Sequence, residues 1–335
     1  MINRDIIVIG ASAGGVDALQ RLCAALPADL DAAVFIAQHL SPSARSLLPQ
    51  ILARSCVLPV ICPVDEQPIE KGHVYIAAPD LHMLVRPGRI LMRRGPYENR
   101  TRPAVNALFR SAAVAYGSRV TGVVLTGLLD DGTEGLIAIK AAGGMSVVQD
   151  PEDAEWPSMP RNAVMRDHVD EVAPLAALAS ILARLASEPP HASVPLPEEY
   201  LIEDRIASQD FAVMETDITT PGNPSRIACP DCGGVLNQIE VETEVRFRCQ
   251  VGHAYTPLGL AEAQSSELER ALGIAVRTHR DRIKLFDQMR DKAATGSLTH
   301  AVARWDKASA ESAHMVGVLE QAMATLKKPI TEGVL

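Results

Sequence analysis

The stretch that decides the fold is IIVIGASAGGVDAL, residues 6–19, close to the start of the 335-residue chain. A short apolar run, Asp5–Ile9, leads into a glycine-rich turn, and helix-forming residues continue to about Ala25. Short apolar runs bounded by glycines and followed by helices are typical of buried parallel strands. This opening therefore predicts the first strand, turn and helix of an α/β sheet.

The pattern repeats up to about residue 185. Further strands are predicted at 33–37, 57–64, 74–78, 120–126 and 145–149, with helices at 103–116, 133–142 and 174–185 and one beginning at Ser41-Pro42. Residues 83–94 carry a Pro87-Gly88 turn between β-like flanks, which predicts a hairpin. The predicted fold class is α/β, a doubly wound and mostly parallel sheet with a hairpin.

Beyond this region the composition changes. Four prolines fall between residues 187 and 197, so we predict a linker over 188–225 after a first domain at 1–187. A cysteine-rich module at 226–257 precedes a helical tail at 258–335, which is broken near Thr295-Gly296. In the tail, apolar residues at 4,3 spacing from Leu298 to Leu326 predict a helical hairpin. Its seam is either the core between two helices or a surface for a protein partner.

Bulk composition excludes several classes of protein. The net charge of −9 argues against nucleic acid as a main partner, because phosphate binding requires a basic face. No apolar run approaches the ~18 residues of a membrane span, so no membrane insertion is expected. The N-terminus lacks signal-peptide architecture. The six cysteines do not form a disulfide pattern, and Cys23, Cys56 and Cys62 are expected in the core. We expect a cytoplasmic protein.

The turn after the first strand admits three interpretations. As G-x-S-x-G, it places Ser12 on a sharp turn with an exposed hydroxyl, as in serine hydrolases. As a degraded G-x-G-x-x-G, it has Ser12 where a dinucleotide loop needs glycine for the approach of pyrophosphate. As a third alternative, Ser12 caps the following helix.

A nucleophilic serine needs a base and an orienting carboxylate. His39 follows the second predicted strand and Asp131 follows the strand at 120–126. Since carboxyl ends of parallel strands meet at one sheet edge, these residues are expected beside Ser12. Asp131 has an alternative role as a helix cap paired with Glu134.

The cysteine-rich module carries metal-ligand spacing. Cys229 and Cys232 form C-x₂-C, and after sixteen intervening residues Cys249 with His253 forms C-x₃-H. Three thiolates and one imidazole suit tetrahedral zinc with no open position. We therefore predict a structural Zn²⁺ in a zinc ribbon, against the alternative of unliganded buried cysteines.

Six segments together resemble the catalytic domain of the chemotaxis-receptor methylesterases, the CheB family. They are IIVIGASAGGVDAL, IAQHLSP, GHVYIAAPDLHM, NRTRPAVNALFRS, VTGVVLTGLLDDGTEGL and MPRNAV, in family order. The resemblance implies hydrolysis of glutamyl methyl esters on a methylated chemoreceptor-like protein, and deamidation of glutamine there as a further activity. By position it implies that Ser12 is the nucleophile, His39 the base and Asp131 its partner. Arg100, Arg102 and Arg161 fall in cleft-like segments and either hold receptor carboxylates or are solvated surface charges.

The chain also departs from the family pattern. Ala13 stands where the family often has threonine. Leu129 stands where the family has the glycine of Met-Gly-x-Asp, which bears on the oxyanion contribution of that loop. We expect the chain to lack the receiver domain of the best-known members, so that regulation would come from elsewhere or not exist. The alternative function is an inactive signalling adaptor that binds a partner through the ribbon and tail. Whether the protein is an enzyme or an adaptor, we expect the ribbon and tail to lie apart from the catalytic residues.

Overall fold

The computed structural model describes residues 3–40, 46–166, 168–208, 221–241, 244–296 and 298–326. It divides into two compact units, Met1–Leu260 and Ala261–Leu335. The strands are β1 (Ile6–Ala11), β2 (Ala33–Gln38), β3 (Val60–Ile61), β4 (Gln67–Pro68), β5 (Val74–Ile76), β6 (His82–Arg86), β7 (Arg89–Arg93), β8 (Val120–Val124), β9 (Met145–Gln149), β10 (Glu171–Ala173), β11 (Asn223–Ala228), β12 (Val235–Val241), β13 (Glu244–Cys249) and β14 (Ala254–Tyr255). The α-helices are α1 (Gly15–Ala25), α2 (Leu48–Ala53), α3 (Val105–Tyr116), α4 (Thr133–Ala141), α5 (Ser158–Arg166), α6 (Leu175–Ser187), α7 (Glu198–Ala207), α8 (Pro257–Thr295) and α9 (Thr299–Leu326).

A seven-stranded sheet forms the centre of the first unit, in the order β10-β9-β8-β1-β2-β5-β3. Neighbouring strands pair in parallel, for example Ile7 with Val34 of β2 and with Thr121 of β8. The chain winds outward from β1 through β2 and then returns to β8 on the other side. The strand order therefore reverses at β1, and the predicted α/β class is confirmed. Ligand sites of open parallel sheets lie at such reversal points.

Both faces of this sheet are covered, which explains the unbroken apolar character of its strands. Along β1, Ile6 and Val8 join one buried cluster, whereas Ile7 and Ile9 join the other. Side chains of a strand alternate between faces, so each face needs its own apolar residues. The same core takes in Cys23, but Cys62 is exposed, and its expected place in the core is wrong.

Several elements differ from those predicted. The strand expected over 57–64 is only β3, and residues 41–45, which include the predicted helix start at Ser41-Pro42, lie outside the described residues. The predicted hairpin is present as β6 and β7, with β4 added as a third strand. The predicted linker contains α7, which buries Tyr200 and Ile206.

An antiparallel sheet in the order β11-β12-β13-β14 occupies the place of the predicted ribbon. The second unit, taken by itself, is a helical hairpin, in which Phe286 of α8 stacks on Trp305 of α9 with ring centroids 5.6 Å apart. Ser309 donates a hydrogen bond of 3.0 Å to Asp287. Trp305 and Ser309 of the 4,3 seam therefore pack within the hairpin. Among the described ranges, no helix has both the length and the apolar composition needed to cross a bilayer.

Candidate active site

The ends of three neighbouring strands bring Ser12, His39 and Asp131 together. The Ser12 Oγ lies 3.1 Å from Nδ1 of His39, and Nε2 of the same ring lies 2.6 Å from Oδ2 of Asp131. Ser12 and His39 are half-buried at the surface, whereas the Asp131 side chain is buried. The result is one hydrogen-bonded chain that begins at a solvent-accessible hydroxyl.

The direction of this chain fixes the histidine tautomer. An ionised carboxylate only accepts hydrogen bonds, so Nε2 of His39 carries the proton that faces Asp131. In the neutral ring Nδ1 is then an acceptor for the hydroxyl proton of Ser12. The arrangement can remove a proton from Ser12 without any change of tautomer.

Asp131 is held by the beginning of α3. Its Oδ2 accepts a hydrogen bond of 2.8 Å from the Val105 amide, and its Oδ1 accepts bonds of 3.1 and 3.0 Å from the amides of Asn106 and Gly132. Free amides and the dipole at a helix N-terminus stabilise a carboxylate. The predicted alternative, a cap of α4 by Asp131, is wrong because Gly132 occupies the N-cap position without a side-chain hydrogen bond.

The turn that carries Ser12 is built from close contacts. Gly14, at φ 72°, is the N-cap of α1, so the interpretation of Ser12 as the helix cap is wrong. A Cβ on Gly10 would lie 2.2 Å from the side chain of Val105, and one on Gly127 would lie 2.9 Å from the Cβ of Ser12. These glycines let the first strand, α3 and the loop after β8 approach the serine.

The loop between β8 and Asp131 contains a non-glycine residue in the left-handed backbone conformation. Leu129 has φ 61°, a conformation that costs an ordinary residue about 1–2 kcal/mol. Its carbonyl accepts hydrogen bonds from Asn162 at 2.8 Å and from Ser158 at 3.3 Å, both on α5. Neighbouring side chains thus hold at Leu129 a backbone shape that glycine adopts freely.

The three arginines of the cleft-like segments have different environments. Arg102 is buried and binds Asp80 through Nε at 3.0 Å, so it is neither a surface charge nor available to a receptor carboxylate. Arg100 lies 3.5 Å from Asp231. Arg161 remains about half exposed, with its guanidinium 3.9 Å from Glu152.

The four predicted metal ligands also come together. Their ligand atoms all lie within 4.8 Å of one another. Nδ1 of His253 is 3.6 Å from the sulfurs of Cys229 and Cys249, and the sulfurs of Cys232 and Cys249 are 3.7 Å apart. Tetrahedral zinc, with bonds of about 2.3 Å to sulfur and about 2.0 Å to nitrogen, requires separations of roughly 3.5–3.8 Å. The cluster therefore fits a metal ion.

Three supporting residues were not predicted. The Gln38 amide donates hydrogen bonds to the carbonyls of Ser12 at 2.7 Å and His39 at 3.1 Å. Thr126 donates to the Ala13 carbonyl at 3.1 Å, and the Asn106 side chain accepts from Gly132 at 2.9 Å. Gln38, Thr126 and Asn106 all occur inside the family-like segments, but no spacing rule distinguishes such supports from ordinary polar residues.

Comparison with known proteins decides the family. The model of the CheB methylesterase family matches residues 7–182, more than half of the chain. The chain belongs to the CheB methylesterase family. The matched region contains the whole Ser12–His39–Asp131 chain but stops before the ribbon and the helical hairpin.

Individual CheB relatives agree with this assignment. A Leptospira interrogans relative is 35% identical over 55% of this chain and 96% of its own length. A Burkholderia pseudomallei relative, named protein-glutamate methylesterase/protein-glutamine glutaminase 1, is 39% identical over 54% of this chain and 51% of its own. The crystal structure of the Thermotoga maritima CheB methylesterase catalytic domain has a TM-score of 0.52 and 30% identity, covering 54% of this chain and 98% of that domain.

Proposed function

We propose that this protein is a carboxylic ester hydrolase that removes methyl groups from glutamyl methyl esters of a methylated chemoreceptor-like protein. The observation that carries the proposal is the hydrogen-bonded chain from Ser12 Oγ through both ring nitrogens of His39 to Asp131. Relatives over the same region are named for this reaction. The intact chain of hydrogen bonds favours the enzyme over the inactive adaptor.

In the first half-reaction, Ser12 Oγ attacks the ester carbonyl carbon while its proton passes to Nδ1 of His39. Asp131 stabilises the imidazolium through the 2.6 Å contact at Nε2. The tetrahedral intermediate collapses, and Nδ1 returns the proton to the departing methoxy oxygen. Methanol leaves, and the glutamyl group remains esterified to Ser12.

In the second half-reaction, Nδ1 of His39 takes a proton from water, whose oxygen attacks the acyl carbon. When this intermediate collapses, Nδ1 returns the proton to Ser12 Oγ, and the glutamate carboxyl group leaves. The negative oxygen of both tetrahedral intermediates needs hydrogen-bond donors. We assign the backbone amide of Ala13, the residue after the nucleophile, to this role, with the N-terminus of α1 beside it. The side chain at position 13 does not enter this role, so alanine is acceptable there.

The same path accommodates deamidation. A glutamine side chain presents the same carbonyl, and ammonia replaces methanol as the leaving group after protonation by His39. The relatives named for both activities support including glutaminase in the proposal.

We further propose that the cluster of Cys229, Cys232, Cys249 and His253 binds zinc in a structural role. Three of the separations, 3.6, 3.6 and 3.7 Å, match tetrahedral zinc, and four protein ligands leave no position for substrate. None of the six cysteines, all within the described residues, forms a disulfide, which favours the reducing cytoplasm as the compartment.

The direct test uses receptor membranes whose glutamates carry radiolabelled methyl esters. We expect the purified protein to release volatile labelled methanol, and to release ammonia when the same sites are glutamine. Receptor with these sites changed to alanine is the matched control. A protein with intact fold that releases neither product from any methylated receptor offered would refute the proposed function.

A further inference from the structure

The ribbon is packed onto the catalytic fold through backbone hydrogen bonds. The amide of Asn99 donates to the Ala254 carbonyl at 2.8 Å, and the amide of Ala254 donates to the Tyr97 carbonyl at 3.1 Å. Strand β14 of the ribbon thus pairs with residues 97–99 of the catalytic fold. Backbone pairing of this kind fixes the ribbon in one register.

A buried set of charges reinforces this contact. Arg248 of the ribbon lies 3.3 Å from Glu98 and 3.1 Å from Glu203 of α7. Glu98 also pairs with Arg110 of α3. All four side chains are at most 4% exposed. A buried charge is stable only beside its partner, so these ion pairs bind the ribbon to Glu98 and α7 and, through Glu98, to α3.

One contact leads from the ribbon to the loop of Asp131. Thr256, three residues after His253, is buried, and its hydroxyl donates a hydrogen bond of 2.8 Å to Oδ1 of Asp130. Asp130 is also buried, and its Oδ2 lies 3.1 Å from Arg166. The next residue, Asp131, carries the carboxylate that faces His39. Thr256 is itself fixed, because Asn99 Oδ1 accepts its amide at 2.9 Å.

We infer that the ribbon is part of the active-site framework and that Thr256 is a positioning residue, which acts through Asp130 to set Asp131 against His39. The inference rests on the proposed function for its kinetic readout. The ribbon then has a positioning role, which a metal site with four protein ligands does not by itself suggest. It also replaces the expectation that ribbon and chemistry lie apart.

The experiment compares Thr256→Val, which removes the hydroxyl, with Thr256→Ser, which keeps it. The Thr256 hydroxyl also accepts the Gly259 amide at 2.9 Å and so caps α8. Thr256→Gly separates the two roles, because glycine at an N-cap position is almost as favourable as threonine. Thr278→Val, whose hydroxyl bonds only its own helix at Ile274, is the matched control.

We expect Thr256→Val and Thr256→Gly to lower kcat about tenfold to a hundredfold, the range that small displacements of catalytic groups produce, with KM changed less than twofold. Thr256→Ser should restore at least half of kcat. The proton NMR signal of the His39 Nε2–H, which reports the contact with Asp131, should shift or broaden in the two impaired variants only.

Wild-type kcat in Thr256→Val, or a loss that serine does not rescue, would overturn the inference. So would an unchanged His39 signal in the Val and Gly variants. If the wild-type protein releases no methanol, the proposed function fails, but the His39 signal still tests whether Thr256 positions Asp131.

Discussion

Replacing Asp131 with asparagine tests how the site orients its histidine. The four hydrogen bonds to the carboxylate come from His39 Nε2, Val105, Asn106 and Gly132. An asparagine must point its amide nitrogen at two of these donors. If the amide nitrogen faced Asn106 and Gly132, it would place a donor against two backbone N–H groups, which are always donors. Facing Val105 and His39, it opposes only one, because the histidine can move its proton from Nε2 to Nδ1. The second orientation is therefore favoured.

This orientation inactivates the base. With the proton on Nδ1, the ring nitrogen 3.1 Å from Ser12 Oγ becomes a donor and cannot accept the hydroxyl proton. The same change in a serine protease triad lowers kcat by about 10⁴-fold, which corresponds to roughly 5.5 kcal/mol of transition-state stabilisation. We expect a loss of that order for Asp131→Asn, with the fold retained.

The assay is methanol release from methylated receptor, together with ¹⁵N NMR of the His39 tautomer. Asp130→Asn is the matched control, since Asp130 contacts Thr256 and Arg166 rather than the histidine. We expect its loss to be about tenfold. Equal losses in the two variants, or a larger loss in Asp130→Asn, would refute the assignment of Asp131.

Three further predictions concern the surroundings of the site. Burial raises the pKa of Glu134 to about 8, although the charge of Arg246 opposes the rise. The protonated side chain therefore adds to the free energy of unfolding. This contribution is fully present below about pH 4.5 and is lost as the pH rises to about 8. Glu134→Gln should reduce this pH-dependent loss of unfolding free energy by a few kcal/mol, since one pKa unit corresponds to about 1.4 kcal/mol. Urea unfolding at several pH values measures the effect. Parallel curves of unfolding free energy against pH for the variant and the wild type would contradict the burial argument. Metal analysis should give about one zinc per chain, lost together with protease resistance of the ribbon in Cys229→Ser; a metal-free but equally resistant wild type would count against the site. Leu129→Gly should keep activity within about twofold and not lower the unfolding midpoint, because glycine adopts φ 61° without strain; a tenfold loss would show that the leucine side chain itself is needed.

The strand ends could be predicted from the sequence because each functional residue follows an apolar run. Ser12 and His39 needed only the rule that parallel strands present their carboxyl ends at one edge. The choice of Asp131 over Asp130 depended on the family resemblance. Adjacent carboxylates point in different directions, and only the structure shows that Asp131 meets the amides of α3.

The attachment of the ribbon was not predictable in the same way. Glu203, Arg246 and Arg248 are charged residues, and charged residues are mostly exposed, so nothing in the sequence marks these three as buried. Their burial depends on partners such as Glu98, 150 positions from Arg248, and long-range pairing of charges leaves no periodic pattern. Arg102 was misplaced for the same reason, since its partner Asp80 lies in another segment.

The most direct test of the central claim is the methanol release by Ser12→Ala beside Ser158→Ala. The Ser158 hydroxyl lies at the same site but only supports the Leu129 carbonyl. Loss of a triad serine removes about 10⁴–10⁶-fold of catalysis, so Ser12→Ala should be inactive on methylated receptor, while Ser158→Ala keeps most of its rate. Methanol release by Ser12→Ala at the wild-type rate would contradict the account.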